Sequence, residues 1–495
     1  MLFNSYVFIF LFAPLAMAGF FAVARWLGHR AAIAWVTACS LLFYSWWDVS
    51  NLPVILTSIG FNYFMGTLLG SAKSSRSRHA LLVAGVVANL GALSYFKYWR
   101  FLVENGNLLL GTRWELPRVD LPLGISFFTF QQIAFLVDAS RRASMGYGLL
   151  EYAMFVTLYP HLIAGPMVHH REIIPPFASG QADRPNLDRL ALGASIFVAG
   201  LFKKVIIADS ISGAANALFG AAQLGAQPGL LAAWVGALAY TFQIYFDFSG
   251  YSDMCVGLGR MFGITIPINF NSPYKSTNVA QFWRRWHMTL SRFLRDYLYV
   301  PLGGSRKGSL RRYFNLFVTM LLGGLWHGAA WTFVLWGALH GTVLAVTHWF
   351  SERYPGSLDH GRMRKAFAAL CTFAFVVVTW VIFRASSLRA AGSVLRGMCG
   401  MNGLGLQEIG KYAATVPWLP VLAAAVWILP NTNEIFSKAS RAADPDFDRI
   451  LGRDAPSESR FAFRPSLVWA GALAVAFLLA VASSDRVEEF LYWQF

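Results

Sequence analysis

The chain is poor in charge. Charged residues are 13% of its 495 positions, about half the share usual in a soluble protein. Acidic residues are the scarcer kind: 25 Asp and Glu stand against 41 Lys and Arg, a formal net charge of +16. With 56% hydrophobic residues, 16% aromatics and a mean hydropathy of +0.48, this shortage excludes a disordered chain, a fibrous repeat and an ordinary soluble enzyme. Cysteine is scarce as well. Cys39, Cys255, Cys371 and Cys399 form no CxxC pair, and two of them lie in apolar runs. The expectation is no disulfide framework and no metal site. A GxSxG elbow, a Walker A loop and a dinucleotide fingerprint are also missing. The basic surplus forms no separate domain, so nucleic acid is not the expected partner. Short cytoplasmic loops of a polytopic membrane protein collect Lys and Arg in this way.

What is present is a series of charge-free runs. Residues 31–47, 51–72, 80–96, 229–246, 367–383, 412–433 and 466–484 each approach the ~20 apolar residues that a spanning helix needs. Residues 1–23 carry no Lys or Arg. Ala16-Met17-Ala18 resembles a cleavage site, but the basic region of a signal peptide is missing. The stretch reads as an uncleaved first helix, with Arg25 and Arg30 inside. Residues 121–137, which open with Leu121-Pro-Leu-Gly, read as a span or a re-entrant segment. Residues 152–168 are broken by Pro160 and Pro166. The uncharged run 313–350 allows one long helix or two short ones, with a hinge at Gly323-Gly324. Residues 434–465 read as a polar extramembrane loop. The total is roughly eleven to thirteen crossings, an all-α polytopic membrane protein. No repeat or long polar linker divides it, so residues 1–495 read as one integral-membrane domain with core motifs in 121–350.

Polar residues at membrane depth are costly and mark function by default. Three clusters qualify. In Tyr245-Phe-Asp-Phe-Ser-Gly-Tyr-Ser-Asp253 the carboxylates of Asp247 and Asp253 are six apart, which does not place them on one helical face. They read as partners of basic groups rather than as an acid/base pair. In Gln281-Phe-Trp-Arg-Arg-Trp-His287, followed by Arg292 and Arg295, two readings stand. One is an interfacial helix with a basic face and Trp anchors at Trp283 and Trp286. The other is a segment dipping into the protein, where the guanidiniums of Arg284 and Arg285 meet phosphates and His287 points into the core. In Leu325-Trp-His-Gly-Ala-Ala-Trp331, His327 stands among small residues that let backbone or a ligand approach. It reads either as a hydrogen-bonded core histidine or as a catalyst. His340 and His348 read as less enclosed.

These residues resemble the membrane-bound O-acyltransferase (MBOAT) family, and within it the branch of the alginate O-acetyltransferase membrane subunit. The likeness rests on Gln281-Phe-Trp-Arg-Arg-Trp-His-Met-Thr-Leu-Ser-Arg292, Pro301-Leu-Gly-Gly304 and Gly323-Gly-Leu-Trp-His-Gly-Ala-Ala-Trp331. It extends to Tyr159-Pro-His-Leu-Ile-Ala-Gly-Pro166 and the ending Phe490-Leu-Tyr-Trp-Gln-Phe495. The resemblance implies a ring of membrane helices around a thin centre, with cytoplasmic and periplasmic funnels. It implies that His327 is the catalytic histidine and His287 the second polar position, with no permanently bound cofactor. It further implies transfer of acetyl from a cytoplasmic donor, acetyl-CoA, across the bacterial inner membrane. The receiver would be a periplasmic partner of the SGNH-hydrolase-like type that acetylates an exopolysaccharide, alginate or cellulose. Membrane lipids are the other expected partners. Peptidoglycan acetylation, a transporter, and a scaffold of a polymer-export complex are the alternatives.

Overall fold

The structure is a computed structural model. It describes residues 1–115, 119–141, 146–180, 182–354, 361–444, 447–448, 458–484 and 490–491. The described residues form helices and connecting turns, with no strand among them. Among the described residues, seven helical stretches are long and apolar enough to cross a bilayer: Phe8–Leu27, Asn51–Ser71, Ser75–Leu110, Leu187–Gln223, Trp331–Arg353, Arg362–Arg384 and Trp418–Ala443, the last interrupted at 429–431. Other runs counted from the sequence fold into helices that are shorter or more polar. The chain groups into two compact units, residues 1–197 with 254–267, and residues 198–253 with 268–491.

The first unit contains α1 (Ala13–Leu27), α2 (His29–Ser45), α3 (Asn51–Ser71), α4 (Ser75–Leu93), α5 (Trp99–Leu110), α6 (Ile125–Ser140), α7 (Leu149–Thr157) and α8 (His170–Ala178). A π-helical turn at Ser94–Tyr98 joins α4 to α5. Gly19 explains the close pairing of α1 with α2. A Cβ there would lie 2.4 Å from the Trp35 ring, whose Nε1 donates to the Ala16 carbonyl at 2.9 Å. Several polar side chains inside this unit satisfy one another, as a lipid environment favours. Tyr152 Oη donates to Gln132 Oε1 at 3.1 Å, and Gln132 Nε2 donates to Ser58 Oγ at 2.8 Å. Asn62 and Asn89 exchange amide bonds at 3.0 and 2.7 Å. After α7 the chain leaves the helix at Leu158, and residues 158–168 run buried without forming another. Pro160 and Pro166 prevent one.

The chain passes between the units within α9 (Leu187–Phe202) and α11 (Leu230–Met261). The second unit adds α10 (Asp209–Gln223), α12 (Val279–Trp283), α13 (Met288–Leu294), α14 (Ser309–His327), α15 (Trp331–Arg353), α16 (Arg362–Arg384), α17 (Leu388–Met398), α18 (Trp418–Ile428), α19 (Thr432–Ala443) and α20 (Leu467–Ala482). The run 313–350 breaks at Gly328–Ala330, not at Gly323-Gly324. Those two glycines stay helical because they are contact surface. A Cβ on Gly324 would sit 2.4 Å from the Phe333 carbonyl, and one on Gly337 would sit 2.5 Å from the Met320 carbonyl. Bare backbone therefore lets α14 and α15 cross closely. At the far end of this hairpin Arg312 pairs with Glu352. The segment read as a polar loop, 434–465, begins inside α19. A capping box between Asn431 and Glu434 starts that helix, and Phe463 N donates to the Ile435 carbonyl at 2.8 Å.

Candidate active site

Both candidate histidines lie in the second unit, and one indole touches both. His327 is the last residue of α14 and is 4% exposed. Gly328 follows in extended conformation, and a Cβ there would fall within 2.1 Å of the Phe333 ring. The small residues after His327 thus make room for protein side chains as well as backbone. Aromatic rings wall the imidazole: Trp326 at 5.0 Å, Phe383 at 5.2 Å and Trp336 at 5.3 Å between centroids. His287 is fully buried. Its ring meets Phe248 edge-on at 4.8 Å and Trp326 at 6.4 Å.

The segment carrying His287 is broken rather than one helix. α12 ends at Trp283, and α13 begins at Met288. His287 caps α13 at φ 44° and ψ 52°, a left-handed conformation uncommon without glycine. Asn269 holds it there. The Asn269 Oδ1 accepts from the Thr289 backbone N–H at 3.2 Å and the Thr289 hydroxyl at 3.0 Å. That identifies the atom as the amide oxygen. His287 Nδ1, 3.1 Å away, must then be the protonated nitrogen. In a neutral ring this leaves the lone pair on Nε2, so His287 retains capacity to take a proton.

His340 is the contrasting case. It is fully buried, more enclosed than its sequence neighbourhood suggests. His348 is half-buried. Trp283 Nε1, which can only donate, bonds His340 Nδ1 at 3.2 Å. His340 Nε2 therefore carries the proton and donates to Thr379 Oγ1 at 3.0 Å. The Thr379 hydroxyl in turn donates to the Val376 carbonyl at 3.0 Å. Protonating His340 would cost it the Trp283 bond. It is a structural histidine, tying α12 to α15 and α16, and its ring packs at 4.7 Å on Trp336.

Trp283 and Trp286 are buried, which removes the reading as surface anchors. Trp286 packs on Trp380 at 4.9 Å, and Trp380 Nε1 donates to Tyr274 Oη at 3.2 Å. Arg284 caps the end of α12 and is exposed, while Arg285 is half-buried. Both stand in the turn that leads to His287. Arg295 pairs with Asp296 at 2.7 Å on the surface. The two carboxylates of α11 are structural. Asp253 pairs with Lys203 at 2.6 Å, and Asp247 shares the buried Lys204 with Asp209, each at 2.7 Å. Among the described residues no group of three His, Cys, Asp or Glu could hold a metal ion. Sequence reasoning missed Asn269, Trp336, Trp380 and Phe383. A signal existed for Trp336 alone, four residues before His340 and so on the same helical face.

A family model for membrane-bound O-acyltransferases matches residues 93–388, which contain every residue of this site. The chain belongs to the MBOAT family. It is similar to the peptidoglycan O-acetyltransferase of Helicobacter pylori, at 42% identity over 84% of this chain and 82% of that one. It is similar over the full length of both chains to the probable alginate O-acetylase AlgI of Pseudomonas aeruginosa, at 36% identity. A more distant likeness, 28% over 53% of this chain and 68% of the other, links it to the teichoic acid D-alanyltransferase of Bacillus subtilis. The chain is thus a multi-pass membrane O-acetyltransferase of MBOAT type.

Proposed function

We propose that this MBOAT protein moves acetyl from acetyl-CoA on the cytoplasmic side of the bacterial inner membrane to a hydroxyl on a periplasmic SGNH-hydrolase-like partner. The partner then acetylates a polysaccharide. The relatives support two readings of the polymer class. The full-length likeness to alginate O-acetylases favours an exopolysaccharide such as alginate or cellulose. The 42% identity to a peptidoglycan O-acetyltransferase keeps peptidoglycan as the second reading.

The observation that carries the mechanism is the placement of His327 and His287 against one buried indole, walled by aromatic rings. A thioester is already activated, so the chain must deprotonate a hydroxyl and bring it to the thioester carbon. His327 takes the hydroxyl proton as the new C–O bond forms. The C–S bond breaks, and the departing CoA thiolate receives the proton back. His287, oriented by Asn269, positions the reacting oxygen through Nε2. Arg284 and Arg285 hold the donor's phosphates, for which the planar guanidinium is suited.

The test is expression with the chain's genomic neighbours in a host lacking the activity, with ester-linked acetate measured on the secreted polymer and on peptidoglycan. Loss of acetate in His327→Ala at equal membrane abundance supports the assignment, and the acetylated polymer names the acceptor. Unchanged acetate in that variant removes the catalytic role.

A further inference from the structure

The first unit contains a cavity of about 410 Å³ between α3, α4 and α6, within the ~300–1,000 Å³ range of small-ligand sites. Val54, Phe61, Ala88, Ala92, Phe96 and Phe128 give it an apolar wall. Of the four polar side chains that reach it, Thr57, Ser58, Asn89 and Thr129, the serine and the asparagine are turned to other partners. Ser58 Oγ accepts from Gln132. Asn89 exchanges bonds with Asn62 and donates to the Gly85 carbonyl at 2.8 Å. A wall whose amides are bound to one another has little to offer water, but it suits a hydrocarbon chain. The surrounding helices Asn51–Ser71 and Ser75–Leu110 are both apolar enough to span a bilayer, so lipid is the medium from which the cavity fills.

A second cavity of about 240 Å³ shares Val54 and Phe96 with the first, and its other lining residues include Ser50, Asn51, Tyr95 and Asp120. The two form one groove with an apolar body and a polar mouth. The mouth is anionic. Asp120 lines it, and Asp48 accepts from Ser50 Oγ at 2.7 Å and Asn51 Nδ2 at 3.2 Å. Neither basic residue just past Phe96 lines the mouth: Lys97 donates to Ser126 Oγ at 3.0 Å, and Arg100 pairs with Glu104 at 2.7 Å. The basic stretch 73–78 follows the other end of α3, so the mouth opens at the extracytoplasmic leaflet.

We propose that this groove holds one acyl chain of a membrane phospholipid whose headgroup carries an ammonium, with the ammonium against Asp120. The volume and apolar wall select the chain, and the carboxylates select the headgroup. An anionic phospholipid would bring its phosphate to the same carboxylates without a compensating cation.

The experiment is native mass spectrometry of the full chain released from bilayers of equimolar phosphatidylethanolamine and phosphatidylglycerol. Wild type is compared with Asp120→Asn and Ala88→Trp. Ala88 is exposed on α4, so a larger side chain fills the groove without entering the core, and Ala92→Trp fills it from the next turn. The expected result is about tenfold preference for phosphatidylethanolamine in wild type, the scale of one charge-assisted bond. That preference disappears in Asp120→Asn, and the bound lipid itself disappears in the Trp variants. Equal retention of the two lipids by wild type, or lipid retained in folded Ala88→Trp and Ala92→Trp, overturns the proposal.

Discussion

His287 is constrained twice, by its left-handed backbone and by Asn269. Asparagine tolerates that backbone but lacks an imidazole. His287→Asn is therefore expected to keep the melting temperature in detergent while acetyl transfer falls by about 10²-fold or more. Asn269→Leu acts differently. It strands the Thr289 N–H and the His287 Nδ1–H inside the protein, at ~1–3 kcal/mol for each unsatisfied donor. Both stability and transfer should drop, and a variant that loses activity with an unchanged melting temperature would contradict the role given to Asn269. His340→Phe keeps the ring shape and strands the Trp283 N–H. It should cost stability on the same scale, because His340 is locked in one tautomer by a donor at Nδ1 and an acceptor at Nε2.

The α14–α15 hairpin is the element that presents His327, and its two ends differ in strength. At the glycine crossing backbone meets backbone, so Gly324→Ala must push the helices apart. Overpacking of this kind costs ~1–3 kcal/mol, and the variant should melt earlier and transfer less, since His327 lies one turn beyond. At the open end the Arg312–Glu352 pair is solvent-exposed on the glutamate side. Pairs of this kind contribute little. Glu352→Gln is expected to leave the melting curve and acetate transfer where they were. A large effect of Glu352→Gln with none from Gly324→Ala would reverse this ranking.

Among the described residues, the buried carboxylates Asp138, Asp247 and Asp253 are each paired with a basic group. Lys204 is almost wholly enclosed between Asp247 and Asp209, and its ammonium lies 4.9 Å over the Phe490 ring. Removing the lysine alone leaves two buried carboxylates facing each other. Lys204→Met should destabilise by ~3–5 kcal/mol, whereas Lys204→Met combined with Asp247→Asn and Asp209→Asn should recover most of it; protein yield and melting temperature in detergent read the difference. The basic excess has a separate consequence. Cysteines at Ser77 and Ser50 should label from opposite sides of the membrane, Ser77→Cys from the cytoplasm. Labelling of both from one side would refute the topology.

Scarcity of charge and the spacing of apolar runs determined a polytopic helical protein, because each spanning helix must satisfy its own backbone and face lipid, and both demands are written locally. The pairing of Asp247 and Asp253 with basic groups was legible for the same reason: an isolated buried charge is too costly to persist. His327 and His287 stood out from the sequence as polar residues at membrane depth. Their meeting on Trp326 did not, since forty positions separate them and only the return of α14 along α15 sets where His327 ends. The break at Gly328–Ala330 rather than Gly323-Gly324 was likewise decided by packing, because a glycine that lets two helices touch and one that bends a helix look alike in a sequence. Asn269 and the tautomers of His287 and His340 belong wholly to the tertiary structure: they depend on which donor lies 3 Å away, and residues distant in the chain supply it.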